Sequence, residues 1–211
     1  MLAHNNKLQP DHYYLAGDDA VLLADIYQEP IQLINWQRNL DQSVKNDVQQ
    51  LLKDKSRFTF RIILPPSQVA QWLQEQWGEE QYTHLANDVE MLTILYADLF
   101  EIAQVGLRFE LVDKTLCPLF HVDKVLCRLV TTYSGRTTEW LESDNTDRQA
   151  LIDRQYDKTV IDANKINRVS VGDVLLFKGQ SWSDHTGEGV VHRSPLADPD
   201  QRRLILTLDI I

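Results

Sequence analysis

Hydrophobic positions recur at helical spacing through the first half of the chain. Val44, Val48 and Leu51 fall on one side of a predicted helix, for which Ser43 is a candidate N-terminal cap. Runs of alternating apolar residues between the helical segments predict strands instead. The predicted helices span about 40–55, 67–77 and 83–106, and the predicted strands span 31–36 and 57–64.

The pattern changes after Gly106, where short runs rich in β-branched and aromatic residues follow one another. The runs are LRFELV, FHVDKVL, RLVTTY, TEWL, VGDVLLFKG, GVVHRSP and RRLILTLDII. Helices therefore come first and most strands follow, which is the order expected of an α+β protein. We predict a mostly antiparallel β core with the N-terminal helices packed on one side.

The same pattern predicts how the chain is divided. Residues 1–30 are mixed and polar and are expected to form a loosely packed arm, and residues 31–211 are expected to form one domain. Within it, 31–106 is helix-rich and 107–211 forms the β core. The polar stretch 142–168 is too long for a hairpin turn, so it is either an insertion with its own structure or a loop over a site.

Composition supports a soluble, single-domain protein. The chain has 211 residues, of which 43% are hydrophobic and 25% charged. Its net charge of −10 argues against nucleic acid as a partner, since such a surface repels phosphate backbones. We find no secretion signal and no apolar run long enough to span a membrane, so we expect a cytoplasmic protein. Cys117 and Cys127 are expected to be buried, reduced thiols.

One short motif, His121-Val122-Asp123, carries possible metal chemistry. A single His-x-Asp pairing is about what chance produces in a chain of this composition. If the segment is a strand, however, His121 and Asp123 project from the same face and offer two ligands to one ion.

A third ligand has to come from the histidines downstream, His185 and His192. His185 lies in a loop-like run, SDHTGEG, whereas His192 follows two β-branched residues in GVVHRSP and is the preferred candidate. Arg202 and Arg203 come ten and eleven residues after His192. Strand alternation places Arg203 on the same face as Ile205 and Thr207, so Arg203 is favoured over Arg202 as the arginine that faces a site.

This order of residues resembles the Fe(II)- and 2-oxoglutarate-dependent oxygenases, whose facial triad consists of two histidines and one carboxylate. VGDVLLFKG resembles the strand before the distal histidine of those enzymes, and RRLILTL resembles their last strand. The longer runs CPLFHVDKVLCRLVTTYSGRTTEWL, LLFKGQSW and VVHRSPL are similar to a bacterial family named DUF1826.

The resemblance implies a fold, two cofactors and a set of roles. It implies a double-stranded β-helix core of the jelly-roll, cupin-like type, Fe(II) bound by His121, Asp123 and His192, and 2-oxoglutarate as cosubstrate. Arg203 would bind the far carboxylate of the cosubstrate, because a planar guanidinium that stays protonated suits a buried carboxylate. The reaction implied is oxidation of a C–H bond in a substrate that the sequence does not identify.

Further residues are assigned to this region as candidates, each with core packing or solvent exposure as the alternative. The candidate cosubstrate contacts besides Arg203 are Tyr133, Arg202 and Thr207, and the candidate substrate-pocket residues are Arg128, Trp140 and Trp182. Arg128 is also a candidate partner of the metal-binding carboxylate.

Two other functions use the same ligands. A cupin-like metalloenzyme would not need 2-oxoglutarate, and a non-catalytic metal-binding or interaction module would hold whatever divalent ion binds best. Zinc or nickel is an expected occupant of the purified protein, since affinity for nitrogen and oxygen ligands does not favour Fe(II). The sequence identifies neither the substrate nor the oligomeric state.

Overall fold

The computed structural model describes residues 14–78, 80–182, 189–198 and 200–211. They form a mixed α+β structure with a seven-stranded sheet, a three-stranded sheet and several helices. Within this part of the chain, no helix combines the length and the apolar character needed to cross a bilayer.

The described part of the predicted N-terminal arm, residues 14–30, is packed and not loose, and the rest of that arm, 1–13, lies outside the described residues. Strand β1 (Tyr14–Gly17) pairs in parallel with β2 (Leu33–Trp36), and the connection from β1 to β2 contains the 3-10 helix Ala20–Tyr27. Leu22, Leu23 and Ile26 of this helix are buried in the main core, Ile26 completely. The segment has only eight residues, which is too few for its apolar periodicity to be recognised in the sequence. Its position is fixed because β1 before it and β2 after it pair with each other.

Three helices match the predicted periodicity, with shifted ends. They are α1 (Gln42–Asp54), α2 (Val69–Trp77) and α3 (Thr83–Phe100). The residue preceding α1 is Asp41, so the predicted cap Ser43 lies inside the helix and that prediction is wrong. Helix α3 ends at Phe100 instead of Gly106, because Glu101 adopts a left-handed conformation with φ 52°. The amide of Ile102 then bonds to the carbonyl of Ala97 at 3.0 Å, which closes the helix end.

The large sheet contains β1, β2 and five further strands. These are β3 (Phe58–Leu64), β4 (Val105–Val112), β5 (Cys127–Ser134), β8 (Val174–Lys178) and β10 (Arg203–Asp209). The strand order is β1-β2-β8-β5-β10-β4-β3, and every neighbouring pair except β1 and β2 is antiparallel. One face of this sheet packs against α1, α2 and α3 through the main hydrophobic core. The other face is therefore free to line a site.

The small sheet lies over that second face. It consists of β6 (Glu139–Leu141), β7 (Asn167–Arg168) and β9 (Val191–Arg193), in the order β7-β6-β9. Trp140 of the small sheet packs in one cluster with Val130, Phe177 and Ile205 of the large sheet. The two sheets thus share an interior that is separate from the helix-covered core.

The stretch 142–168 has structure of its own. It contains the short helix α4 (Arg148–Ile152), three 3-10 turns and β7. Buried Asn145 organises it: the amide group donates to the carbonyls of Asp162 and Lys165, both at 3.1 Å, and its oxygen accepts from the amide of Asp162 at 2.7 Å. These bonds satisfy the backbone of a long connection that covers the small sheet.

Candidate metal centre

The segment around the His-x-Asp motif differs from the prediction of a regular strand. Among residues 113–126, only His121 pairs, in an isolated antiparallel bridge with His192 of β9. Each residue donates its amide to the other's carbonyl at 3.0 Å. The two candidate ligands, 71 residues apart in the chain, are therefore held side by side by backbone bonds rather than by a strand of the sheet.

The end of β8 fixes the backbone on the other side of the motif. The amides of Gly179, Gln180 and Ser181 bond to the carbonyls of Leu126, Asp123 and Val125 at 2.8, 2.8 and 3.1 Å. Such close approach requires glycine, because a Cβ at position 179 would lie 2.2 Å from the oxygen of Val125. The position of Asp123 thus depends on contacts that are remote in sequence.

We expect Gly179→Ala to displace the Asp123 backbone and to weaken metal binding together with stability. The backbone oxygen cannot move as a flexible side chain would, so the substitution should cost about 1 to 3 kcal/mol, the usual range for overpacking. Thermal unfolding and a metal titration measure both effects. Gly17→Ala is the control, since its Cβ meets only a Leu22 methyl at 3.4 Å; equal losses in both variants would contradict the proposed role of Gly179.

The three candidate ligand groups converge. His192 Nε2 lies 3.0 Å from Asp123 Oδ2, and His121 Nε2 lies 3.4 Å from Asp123 Oδ1. One ligand atom from each residue falls within 4.8 Å of the other two. His192 is buried, while His121 and Asp123 are partly exposed toward a cavity. Two imidazole nitrogens and one carboxylate oxygen around a common point can hold a divalent metal ion.

Backbone carbonyls orient both imidazoles. Nδ1 of His121 lies 2.8 Å from the carbonyl oxygen of Leu119, and Nδ1 of His192 lies 3.1 Å from that of Val190. Because a carbonyl only accepts, Nδ1 must carry the proton when these bonds form, so Nε2 is the nitrogen that would bind a metal after giving up the proton it shares with Asp123. Phe177 packs on the His192 ring at a centroid distance of 4.6 Å and restricts its rotation further.

Arg128 of β5 supports the carboxylate. Its guanidinium donates to Asp123 Oδ2 and binds Asp209 through Nε and one terminal nitrogen at 2.6 and 2.7 Å. Burial acts to raise the pKa of Asp123, but hydrogen bonds from His121 and His192 and the charge of Arg128 outweigh it and hold that pKa well below its usual range. The pKa of His121 is raised, mainly by its hydrogen bond to Asp123. Asp123 is thus an ionised ligand at neutral pH.

We expect Arg128→Gln to lower metal affinity by about 10- to 100-fold, the usual effect of removing a group that orients a ligand. Without the guanidinium, Asp123 loses its fixed donor and Asp209 its ion-pair partner. Competition with a chromophoric chelator measures the affinity. Asp209→Asn, which leaves the Arg128–Asp123 contact in place, should weaken binding less; the reverse order would show that Arg128 does not act through Asp123.

A cavity of about 210 Å³ adjoins the three ligands. Its other lining residues are Arg108, Glu110, Leu116, Cys117, Arg128, Val130, Thr138, Arg193, Ser194, Ile205 and Thr207. Thr207 and Arg128, both predicted at the site, therefore line it together with the triad. The cavity lies between the free face of the large sheet and the small sheet.

Arg203 reaches this cavity through hydroxyl groups. It donates to Thr138 at 2.8 Å and to Ser194 at 3.2 Å, both of which line the cavity, and it also borders a neighbouring pocket of about 20 Å³. Among the described residues, no carboxylate lies within ion-pair distance of it and its Nε has no hydrogen-bond partner. Burial lowers the pKa of Arg203 to about 10 despite the opposing charge of Glu110, so it stays cationic at neutral pH.

Two predicted cosubstrate contacts lie elsewhere. Tyr133 faces the helices and donates from its hydroxyl to Asp88 at 2.5 Å, because it is out of phase with Arg128 along β5. Arg202 projects from the opposite face to Arg203 and binds carbonyl groups at the C-terminal end of α1, including Lys55 O at 2.5 Å. Neither side chain lines the metal-side cavity, and Arg202 is held by the helix end instead of extending into solvent.

The predicted tryptophans are also outside the metal-side cavity. Trp140 packs on Tyr14 at 4.9 Å between ring centroids and borders a different, smaller cavity. Trp182 packs on Tyr27 and Phe100 at the edge of the helix-side core. Neither tryptophan lines the cavity that holds the triad. The alternative ligand His185 lies outside the described residues.

The two cysteines differ from each other. Cys127 is buried, as predicted, but Cys117 is exposed and lines the metal-side cavity. The prediction that Cys117 is buried is therefore wrong; residues 113–120 form no strand that would enclose it.

Several contributors were missed. Asp209 is in phase with Arg203, Ile205 and Thr207, and a charged residue in that register of an apolar strand is a signal that could have been used. Glu110 offers the same kind of signal in LRFELV. The sequence carries no such signal for Thr138 and Ser194, because the approach of their hydroxyls to Arg203 depends on how the two sheets pack.

Comparison with solved structures finds remote similarity across most of the chain. A prolyl-4-hydroxylase from Pseudomonas putida is 12% identical, with 90% of this chain and 96% of that chain covered and a TM-score of 0.45. A full-length Neurospora crassa protein, solved in complex with alpha-KG, is 11% identical, with 93% and 82% covered and a TM-score of 0.48.

None of the curated proteins matches the sequence. The model of one family does match, over residues 17–209, which is most of the chain. That span includes all three candidate ligands and Arg203. The chain therefore belongs to the family described as protein of unknown function DUF1826.

Proposed function

We propose that the protein is an Fe(II)- and 2-oxoglutarate-dependent oxygenase that oxidises a C–H bond of its substrate. One observation carries the proposal: a His-Asp-His cluster lines an inter-sheet cavity, and a buried arginine without a carboxylate partner among the described residues donates to Thr138 and Ser194 in the wall of that cavity. The first feature fits a metal and the second fits an anion. A chelating dicarboxylate is a ligand that uses both.

The donor set fits iron. Two neutral imidazoles and an ionised carboxylate are the ligands of non-haem Fe(II) oxygenases, and three protein ligands leave further coordination positions for a chelating cosubstrate and dioxygen. His121, Asp123 and His192 would hold the ion. The carbonyl groups behind both Nδ1 atoms and the guanidinium of Arg128 would keep the three donors aimed at it.

Arg203 fits the far carboxylate of 2-oxoglutarate. A buried cation without a counter-ion is costly, and its Nε is an unused donor. A carboxylate placed against it gains a charge-assisted hydrogen bond and neutralises the site. The neighbouring hydroxyls of Thr138 and Ser194 can donate to the same anion, since each has a proton that its bond from Arg203 does not use.

Iron bound there would couple oxidative decarboxylation of 2-oxoglutarate to substrate oxidation. The products would be succinate, carbon dioxide and a hydroxylated substrate, with one oxygen atom of dioxygen in succinate and the other in the new hydroxyl group; each of the two organic molecules would supply two electrons. The residues of this chain would bind and orient the cosubstrate and the substrate, and would keep water out of the site. Val130 and Ile205 present apolar side chains to the cavity beside the triad and limit the water that reaches it.

We further propose that the core is a double-stranded β-helix. In support, β4, β10, β5 and β8 of the large sheet face β9, β6 and β7 of the small one, and the His121–His192 bridge adds the start of a further strand pairing. A sandwich of two sheets of this kind is the architecture of jelly rolls and cupins.

The decisive experiment loads the protein with Fe(II) without oxygen and adds 2-oxoglutarate. We expect one Fe(II) per chain, a weak visible charge-transfer band on addition of the cosubstrate, and slow conversion of 2-oxoglutarate to succinate once air is admitted. Metal binding without the band and without succinate would contradict the proposal. That outcome would favour a metalloenzyme that does not use 2-oxoglutarate or a non-catalytic metal-binding module.

A further inference from the structure

Glu110 is a buried carboxylate that the proposed reaction does not require. It lies on β4, is only 3% exposed and lines the cavity that holds the metal triad. Within the described ranges its one ionic partner is Arg61, at 3.4 Å, and the side chain of Arg61 is 67% exposed. A buried carboxylate with such a weak, solvated partner is costly unless a ligand compensates it.

The other ionic groups on the cavity wall have counter-ions among the described residues. Arg128 is bound by Asp123 and Asp209, and Nε of Arg193 lies 2.7 Å from Glu139. Arg108 lies 3.7 Å from Asp209.

Arg203 is the cation available to the cosubstrate. The charge of Glu110 acts on it through space, but the two side chains are not within ion-pair distance of each other. Once a cosubstrate carboxylate neutralises Arg203, Glu110 is no longer stabilised by that long-range attraction. Glu110 is therefore the acidic group left for the substrate.

The position of Glu110 separates it from the metal ligands. In the large sheet β10 lies between β5, which carries Arg128, and β4, which carries Glu110. Glu110 is paired with Ile205, so it lies across β10 from the strand that supports Asp123. A substrate group at Glu110 thus occupies the β4 side of the cavity while the triad lies on the β5 side.

The β4 side also opens to solvent. Arg61 of the edge strand β3 is paired with Arg108, so both project from the face that carries Glu110. An open groove of about 420 Å³, lined by Arg61, Ile63 and Arg108 among others, adjoins the cavity, and Arg108 lines both. A substrate can therefore approach over β3 and β4 and pass Glu110 before it reaches the triad.

We propose that the substrate carries a cationic nitrogen, an ammonium or guanidinium group, which binds Glu110. This inference rests on the proposed function in taking the cavity as the substrate site, and it names the substrate class. A cation there gains a desolvated ion pair, whereas an anionic or apolar group would leave Glu110 without compensation. Arg61 is the counter-ion that an incoming cation displaces, since its exposed guanidinium returns to water at little cost.

The test uses pairs of probes that differ in charge. The pairs are methylguanidinium with methylurea, and n-butylammonium with n-butanol, titrated at millimolar concentrations against the Zn(II)-loaded protein while its melting temperature is followed. This readout needs neither iron nor 2-oxoglutarate. We expect saturable stabilisation by the cationic member of at least one pair and none by its neutral counterpart.

Two variants assign the effect. Glu110→Gln keeps the size of the side chain and should weaken cation binding about tenfold or more, since it leaves the cation without its buried partner. Arg61→Gln breaks the same ion pair from the other side and should leave cation binding unchanged or stronger. Melting temperatures without probe report whether each variant has folded.

The inference is overturned if neutral and cationic probes act alike, if none of them stabilises the protein, or if Glu110→Gln retains the discrimination. These outcomes are distinct from failure of the proposed function. A protein that converts 2-oxoglutarate but does not distinguish the probes would keep the oxygenase assignment and lose the cationic substrate. A protein that distinguishes the probes but does not respond to 2-oxoglutarate would keep the cation site at Glu110 and lose the oxygenase assignment.

Discussion

His192→Ala is expected to abolish specific metal binding and, with it, all conversion of 2-oxoglutarate. The histidine is buried, its Nε2 lies 3.0 Å from Asp123, and the remaining two groups cannot enclose an ion. Removal of groups that merely orient ligands already costs about 10- to 100-fold in affinity, so loss of a ligand should cost more than about a hundredfold. Chelator competition with Fe(II) or Co(II) measures this directly.

A matched histidine elsewhere in the chain provides the control. His84 is exposed on α3, where it lies 3.4 Å from Asp47, and it belongs to no metal-binding cluster within the described ranges. His84→Ala should bind one metal ion as the wild type does. If His192→Ala also kept full affinity, the ion would be bound elsewhere and the proposed centre would be wrong.

Arg203→Ala is expected to raise the concentration of 2-oxoglutarate needed for turnover on the order of a hundredfold or more while metal affinity is retained. Loss of one partner of a buried ion pair costs about 3 to 5 kcal/mol, which corresponds to that change. Cosubstrate titrations followed by the charge-transfer band give the affinity without a substrate. Arg203→Lys keeps the charge but lacks the planar guanidinium, so its affinity for 2-oxoglutarate should lie between those of the wild type and Arg203→Ala.

The preceding residue makes an unusually close control. Arg202 projects from the other face and holds the end of α1 through bonds to Leu52, Lys55 and Ser56. Arg202→Ala should lower the melting temperature but leave cosubstrate affinity unchanged. Equal loss of affinity in both variants would mean that the strand, and not the guanidinium of Arg203, determines binding.

Helices and paired strands were predictable because their signals are local. The spacing of Val44, Val48 and Leu51 identifies α1, and alternation identifies β3 and β10, since the apolar face of each is set within a few residues. The course of residues 120–126 was not predictable. Its apolar alternation suggests a strand, but its backbone bonds go to His192 and to the end of β8, which are remote in sequence.

The same distinction applies to the site. Strand phase correctly predicts that Arg203 and Thr207 face the cavity side of β10 and that Arg202 does not. Phase also argues against Tyr133 once Arg128 is placed at the site, because residues five apart on a strand face opposite ways. Packing of Trp140 against Tyr14, by contrast, depends on a small sheet whose strands come from distant parts of the chain.

The bridge between His121 and His192 has a thermodynamic consequence. An ion bound by both imidazoles would cross-link two segments 71 residues apart and close a long loop of the polypeptide. Since the unfolded chain holds no such preformed set of donors, the free energy of ion capture adds to the free energy of folding. Folding and ion binding would then be linked equilibria. The resistance of the polypeptide to heat and proteases would rise as the ion becomes available.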